Sequence, residues 1–340
     1  PGKLTQLLWT RFTHFAGAAD KGWLIVPCEL IDHNGDALRE LVLRYIKHWM
    51  LPPEFARWVL DHCAFYNTLV DRIVTGYPAD GESIAARLGY EDRYLVAGEV
   101  YYQFVIQGPD ALAQELKLAA LAPEVKLVDD ISPYKAQKVA ILNGAHTAMV
   151  PVAFLSGVES VGEAMDDAAI AGYVDTLLRD EVIPTLDLPS EELHAFADAV
   201  QRRFRNPFIR HALLSIALNG MTKFRTRLLP QLLLAQHQTG QWPPRLTFAF
   251  AALLAFYRGE QGDKQWSLQD DEYWLQQFAE LWPAVNQNKM TPEQLVHAVL
   301  RNSHHWGEDL TQRPGLASAI SQHLHNIIVH GMRTALLQLR

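Results

Sequence analysis

"SPYKAQKVAILNGAHT", residues 132–147, is where the chain changes character. Ser132 suits the cap of a helix, and Pro133 suits its first position because it has no N–H to leave unpaired. Lys138, Asn143 and His146 then interrupt an otherwise apolar run. If the helix continues through residue 155, rotation of about 100° per residue sets Lys138, His146 and Asn143 near about 0°, 80° and 140°. The three fan across one face, which Leu142 shares. A lysine on an amphipathic helix ordinarily snorkels to solvent, and a lone histidine among apolar residues is ordinarily a core residue. The spacing permits a site without proving one.

Outward from this stretch the two directions differ. Downstream, segments of helical period follow one another near 133–156, 159–180, 190–204, 207–219, 221–238, 244–258, 269–281, 292–302 and 314–336. "TPEQ" (291–294) carries the clearest start signal, a threonine cap with proline next and glutamine three residues on. Upstream the pattern is mixed. Helical spacing at 4–15, at "NGDALRELVLRYIKHW" (34–49) and from Pro52 toward residue 64 alternates with strand candidates. These are "GWLIVPCELI" (22–31), "NTLVDRIVTGYP" (67–78), "VYYQFVIQG" (100–108) and "VKLVDD" (125–130). The expected architecture is α/β plus all-α: an α/β domain over 1–130, then a larger all-helical domain over 131–340.

Composition bounds the function. At 340 residues and 49% hydrophobic, the chain can bury a real core. A net charge of −8 argues against general nucleic-acid binding, which needs excess Lys and Arg. We read no 18-residue apolar span and no signal peptide, so the expectation is a soluble cytoplasmic protein with no membrane partner. Two cysteines, Cys28 and Cys63, are too few for a disulfide framework or a thiolate metal site. The chain begins at Pro1, and we expect it to be part of something longer.

The common chemical signatures are missing. No G-x-G occurs, so the glycine-rich dinucleotide turn is absent, as are a P-loop and a G-x-S-x-G elbow. The 14 histidines include "HHW" (304–306) and "HLHNIIVH" (323–330), but no H-E-x-x-H. Solvent-facing helix histidines explain both tracts better than a metal site, and no metal is expected. Basic residues cluster at "QRRFRNPFIRH" (201–211) and "TKFRTR" (222–227), beside Asn-Pro and Asn-Gly breaks. In an acidic chain such clusters either form a solvated helix face or focus an anionic substrate. Asn67 and the Asp71–Arg72 pair complete the candidates.

Here the residues become familiar. "NTLVDRI" followed by "PYKAQKVAILNGAHT" resembles the long-chain, metal-independent mannitol dehydrogenase family. Its motif of a lysine, an asparagine five residues on and a histidine three beyond matches Lys138, Asn143 and His146, with the upstream asparagine at Asn67. The wider wording is similar to the tagaturonate reductase (altronate oxidoreductase) branch, through "GWLIVPCELIDHNGDALRELVLRY", "KVAILNGAHTAMVPVAFLSGVESVGEAM" and "RFRNPFIRHALLSIALNGMTKFRTRLLPQL". Polyol-acting relatives usually show C-D-N where this chain has Cys28-Glu29-Leu30, which favours the uronate-acting branch. The family's glycine-rich turn is not here. The resemblance therefore implies that residues 1 to about 130 are a partial Rossmann-like NAD-binding domain lacking its first strands, with that turn upstream of Pro1.

The resemblance implies reversible, NAD-dependent reduction of the ketone of tagaturonate to altronate. Lys138 would give the proton in reduction and take it in oxidation, which requires a pKa brought toward the working pH. Asn67 and Asn143 would donate to the oxygen as charge grows on it, and His146 would orient the substrate hydroxyls or the lysine. For the uronate carboxylate, Lys223 and Arg225 are the expected partners. Three alternatives stay open: fructuronate reduction, a mannitol-type polyol dehydrogenase, and a non-catalytic helical fragment serving binding or assembly. Oligomeric state is left open.

Overall fold

The structure, a computed structural model, describes residues 1–29, 31–78, 80–117, 124–208 and 211–339. Leu30, Ile209 and Arg210, which fall in stretches quoted above, lie outside the described residues. The chain divides into two compact units, Pro1–Lys135 and Ala136–Arg340.

In the N-terminal unit three helices, Gly2–His14, Asn34–His48 and Pro53–His62, close around Leu8, Val42, Ile46, Phe55, Trp58 and Val59. Trp9 and Phe12 extend this core, their rings meeting Phe55 at 5.2 and 5.3 Å. The strands are shorter than expected. Of residues 22–31 only β1 (Leu24–Ile25) forms, parallel to β2 (Ala64–Phe65). Beyond it the carbonyls of Pro27 and Glu29 turn to the amide of Asn34 instead of a neighbouring strand. The stretch 67–78 breaks after Asp71. Its first part, β3 (Thr68–Asp71), and its second, β4 (Val74–Gly76), enter different sheets. β4 pairs with β5 (Ala97–Gly98), while β3 lies antiparallel to β6 (Gln103–Gln107), which runs parallel to β7 (Val125–Val128). Two short helices that the sequence reading did not include, Gly81–Leu88 and Asp110–Glu115, fill the connections.

Among the described residues, the regular structure of the C-terminal unit is helical apart from a hairpin pairing Glu260–Gln261 with Lys264–Gln265 and one isolated bridge, Ser160–Ala212. At its centre is helix Gly144–Leu155, every residue of which is buried. Helix Pro244–Phe256 packs along it and is buried from Leu246 onward; Leu316–His330 covers its far side. The run Ser132–Leu155 is long and apolar enough to cross a membrane by length and composition, which corrects the reading that no such span exists. Most of it is buried inside the protein, as the core helix of a folded unit is.

Several long expected helices are interrupted, each for a local reason. Asn206 and Pro207 form a turn, with Phe208 N donating to Asn206 Oδ1 at 3.1 Å, and among the described residues of 207–219 only Leu213–Ile216 is helical. Gly331, at φ 79°, separates Leu316–His330 from Met332–Gln338. Thr291 forms the capping box that "TPEQ" announces, exchanging hydrogen bonds with Gln294. Ser132 is the first residue of its helix and not its cap; Asp130, two residues before it, accepts from Ser132 N at 2.8 Å, and its bonds to Ser132 hold its carboxyl below the usual range.

Candidate active site

The helix of "SPYKAQKVAILNGAHT" is not one continuous α-helix. Ser132–Gln137 is α-helical, Lys138–Asn143 is a π-turn, and Gly144 resumes the α-helix. Gly144 N reaches back five residues to Val139 O, so each turn of this stretch holds one extra residue. A constant rotation of about 100° therefore does not apply between Lys138 and Asn143; the wider turn brings residues five apart, like these two, toward one side. π-Turns inside α-helices occur frequently at functional sites.

Gly144 has a packing reason. A Cβ there would lie 3.1 Å from Leu228 Cδ2 and 3.7 Å from Arg227 O. Its absence lets the end of helix Gly220–Arg227 approach the π-turn. Arg227 Nη1 then donates to Thr147 Oγ1 at 3.2 Å and, more weakly, to the Asn143 carbonyl at 3.5 Å. Thr147 Oγ1 donates to the same carbonyl at 2.9 Å. The wider turn thus has its Asn143 carbonyl satisfied by side chains.

His146 is 8% exposed, its ring stacked on Phe204 at 4.2 Å and met edge-on by His211 at 5.6 Å. Its Nε2 is buried and makes no hydrogen bond. Burial first, then His211, Arg227, Arg203 and Lys223, push its pKa down to about 3, so the ring is neutral at physiological pH. The backbone fixes His211 in place: its carbonyl accepts from Val161 N at 3.0 Å, and Leu213 N donates to Glu159 O at 2.9 Å.

Helix Gly220–Arg227 is anchored at its start. Asp270 accepts from Met221 N at 3.0 Å and from the Tyr257 hydroxyl, and Gly220 N donates to that hydroxyl at 3.1 Å. Lys223 Nζ donates to Ile216 O at 2.8 Å, and burial followed by Arg227 lowers its pKa. With Thr147 it lines a cavity of about 20 Å³, room for a single water. Arg225 faces elsewhere, donating to His305 O at 2.8 Å. The sequence reading did not single out Arg227, Arg203, His211 or Phe204. A usable signal for Arg227 was present: it stands four residues from Lys223 and shares its helix face, whereas Arg225 stands two away.

Asn67 belongs to the N-terminal unit, where its amide is tied to a helix start. Its Oδ1 accepts from Gly35 N and Asp36 N at 3.0 and 3.1 Å, and its Nδ2 donates to Asp36 Oδ2 at 2.8 Å. Next to it Asn34, 3% exposed, exchanges bonds with Thr68. Gly35 permits this knot, since a Cβ there would sit 2.4 Å from Tyr66 O. Arg72 donates from Nε to Glu99 O at 2.9 Å.

The histidine tracts are not solvent-facing throughout, a correction to the sequence reading. His305 is buried, accepting from Trp274 Nε1 at 3.1 Å, and His323 lies edge-on to Phe248 with its pKa lowered by burial. Both are apolar-core neighbours because their helices turn these faces inward. Among the described residues no three His, Cys, Asp or Glu side chains come together as a metal site would require.

Comparison with known proteins agrees with this architecture. The mannitol dehydrogenase Rossmann domain matches residues 1–120, and the mannitol dehydrogenase C-terminal domain matches 130–328. An altronate oxidoreductase of Yersinia pestis is 58% identical over 336 residues, covering 98% of this chain and 70% of the relative. One from Cronobacter sakazakii is 59% identical over 340 residues, covering 100% of this chain and 70% of the relative. Mannitol 2-dehydrogenase of Pseudomonas fluorescens, solved with NAD and D-mannitol, superimposes with a TM-score of 0.70 at 22% identity, covering 93% of this chain and 62% of that one. A substrate-free D-sorbitol dehydrogenase gives 0.74 at 22% identity, covering 98% of this chain and 65% of that one. At that identity the structures speak for the fold: a Rossmann domain followed by a helical domain. With both family domains matched and relatives at this identity over nearly its full length, the chain belongs to the mannitol dehydrogenase family of oxidoreductases.

Proposed function

We propose that this chain carries the proton-transfer and carbonyl-binding machinery of an NAD-dependent reductase that converts tagaturonate to altronate. The observation behind this reading is the electropositive cluster around the Lys138–Asn143–His146 segment. In a chain of net charge −8, two cations of one helix meet this segment: Arg227 bonds Thr147 Oγ1 and the Asn143 carbonyl, and Lys223 lines a cavity with Thr147. Such a cluster selects an anionic substrate, and a sugar acid meets that requirement where a polyol does not.

NAD fits the chemistry of the donor set and lacks part of its usual cradle in this chain. The sequence has no G-x-G, and at the start of helix Asn34–His48 the Gly35 and Asp36 N–H groups are already spent on Asn67 Oδ1. When bound, NADH would supply the hydride for the carbonyl carbon. The chain's own residues manage the oxygen. Lys138 gives a proton to it, and Asn143 donates an amide hydrogen bond while charge builds there. His146, held neutral, offers Nε2 to a substrate hydroxyl without competing for the proton. For Asn67 the role of second donor rests on the resemblance alone. The free thiols of Cys28 and Cys63 fit a reducing cytoplasm.

The test is NADH oxidation with tagaturonate, fructuronate and fructose compared side by side, together with Lys138→Met. Turnover selective for tagaturonate, abolished in the variant with NADH binding retained, supports the proposal. Preference for fructuronate or fructose reassigns the substrate within the family. Silence with all three returns the chain to a binding or assembly role.

A further inference from the structure

We propose that Arg227 determines specificity at this site by receiving the carboxylate of the sugar acid, assisted by the buried Nε2 of His146. The inference deepens the reductase reading and rests on it for the identity of the acid. Three observations carry it. First, Arg227 is positioned by the substrate-bearing segment itself, through Thr147 Oγ1 and the Asn143 carbonyl, beside Gly144, where a Cβ would crowd Leu228 Cδ2 at 3.1 Å. Its helix is pinned at the opposite end by Asp270 and Tyr257, so the guanidinium sits on a rigid element.

Second, Arg227 is half-buried and has no acidic partner among the described residues. Two other half-buried arginines of the C-terminal unit have carboxylates: Arg179 meets Asp175 at 2.8 Å and Arg245 meets Glu181 at 3.5 Å. Arg227 bonds only through Nη1, which leaves the Nη2 and Nε side of its fork for a ligand. A guanidinium so placed matches a planar carboxylate with two parallel hydrogen bonds, which an ammonium cannot do. Arg225, by contrast, spends its donor on the His305 carbonyl.

Third, His146 Nε2 is buried and unpartnered beside this cluster. A polar atom left so is costly unless something binds it. A hydroxyl or carboxylate oxygen of the ligand supplies what the protein does not. Lys223, which shares Arg227's face and lines the small cavity with Thr147, adds charge without the fork geometry.

The experiment compares wild type, Arg227→Met, Arg227→Lys and Thr147→Val in the full chain. Two quantities are read: the ratio of kcat/KM for tagaturonate over tagatose, the same ketose with a hydroxymethyl in place of the carboxylate, and calorimetric binding of altronate without nucleotide. Arg227→Met should lower the ratio by about 100-fold or more, through KM, and weaken altronate binding in parallel. Arg227→Lys should recover about a tenth of the loss, because it restores charge without the fork. Thr147→Val, which removes the oxygen that holds the guanidinium, should shift both readouts in the same direction by a smaller factor and covers the case in which Arg227→Met fails to fold. An unchanged ratio with unchanged altronate binding overturns the inference, as does equal loss on both ketoses. If the wild type reduces no ketone yet binds altronate through Arg227, the reductase reading fails and the anion site stands. If it neither reduces nor binds, both fail.

Discussion

His146 gives a stability signature that reports its burial directly. In the folded chain its pKa is pushed down to about 3 by burial and by the cations around it, against an ordinary value of 6.5. Between those limits the unfolded chain binds a proton at this ring and the folded chain does not, so stability falls as pH falls. The contribution is fully present above about pH 7 and declines below 6.5, at a limiting slope of about 1.4 kcal/mol per pH unit. Integrated from pH 7 to pH 5, the ring costs the folded state about 2 kcal/mol. The perturbation is His146→Gln, which keeps a polar side chain and removes the titration. The assay is urea unfolding at pH 7 and pH 5, followed by tryptophan fluorescence, for the protein with His146 and for the variant. The variant loses the stack on Phe204 and is less stable at both pH values, so the readout is the pH dependence alone. Both proteins carry His211→Gln, because that ring meets His146 and titrates with it; His305 and His323, also lowered by burial, act in both proteins and cancel in the difference. The protein with His146 should lose about 2 kcal/mol more than the variant over this interval. Equal losses would refute the reasoning and mean that the His146 ring takes its proton in the folded chain as it does in water.

Two further outcomes follow from the same geometry. Asn143→Ala should lower turnover by about 100-fold or more if its amide is the oxyanion donor, while the π-turn survives because Thr147 and Arg227 bond its backbone carbonyl; matched circular dichroism with near-normal kcat would remove that role. Gly35→Ala should destabilise the N-terminal unit by about 2–3 kcal/mol or prevent its folding, since the added methyl meets the Tyr66 carbonyl at 2.4 Å; an unaltered unfolding curve would contradict the packing of the Asn34–Asn67 knot.

Much of this protein was legible in order along the chain. The amphipathic helix expected at 190–204 forms as Ser190–Phe204, the apolar run at 244–258 forms as the core helix Pro244–Phe256, and the threonine cap at 291 works because its partner is three residues away. The residues Lys138, Asn143 and His146 could be singled out for the same reason, since a motif is a matter of spacing. What depended on distant residues was not legible. Strand candidates 22–31 and 67–78 had the right composition, yet their lengths were set by whether another strand or the Asn34 amide met their backbone. The histidines of 304–306 and 323–330 read as exposed because no local pattern says which helix face another helix will cover.

The candidate site divides in the same way. The sequence by itself determined that a lysine, an asparagine and a histidine share one helical segment, and that cations gather at 201–211 and 222–227 in an acidic chain. Only the tertiary structure decided that the segment widens into a π-turn, that Arg227 and not Arg225 meets it, and that the His146 ring stacks on Phe204. The physical reason is that local hydrogen bonding follows from near neighbours in sequence. Desolvation, ring stacking and the direction of a guanidinium follow from surfaces that meet only when residues up to 84 positions apart are packed together.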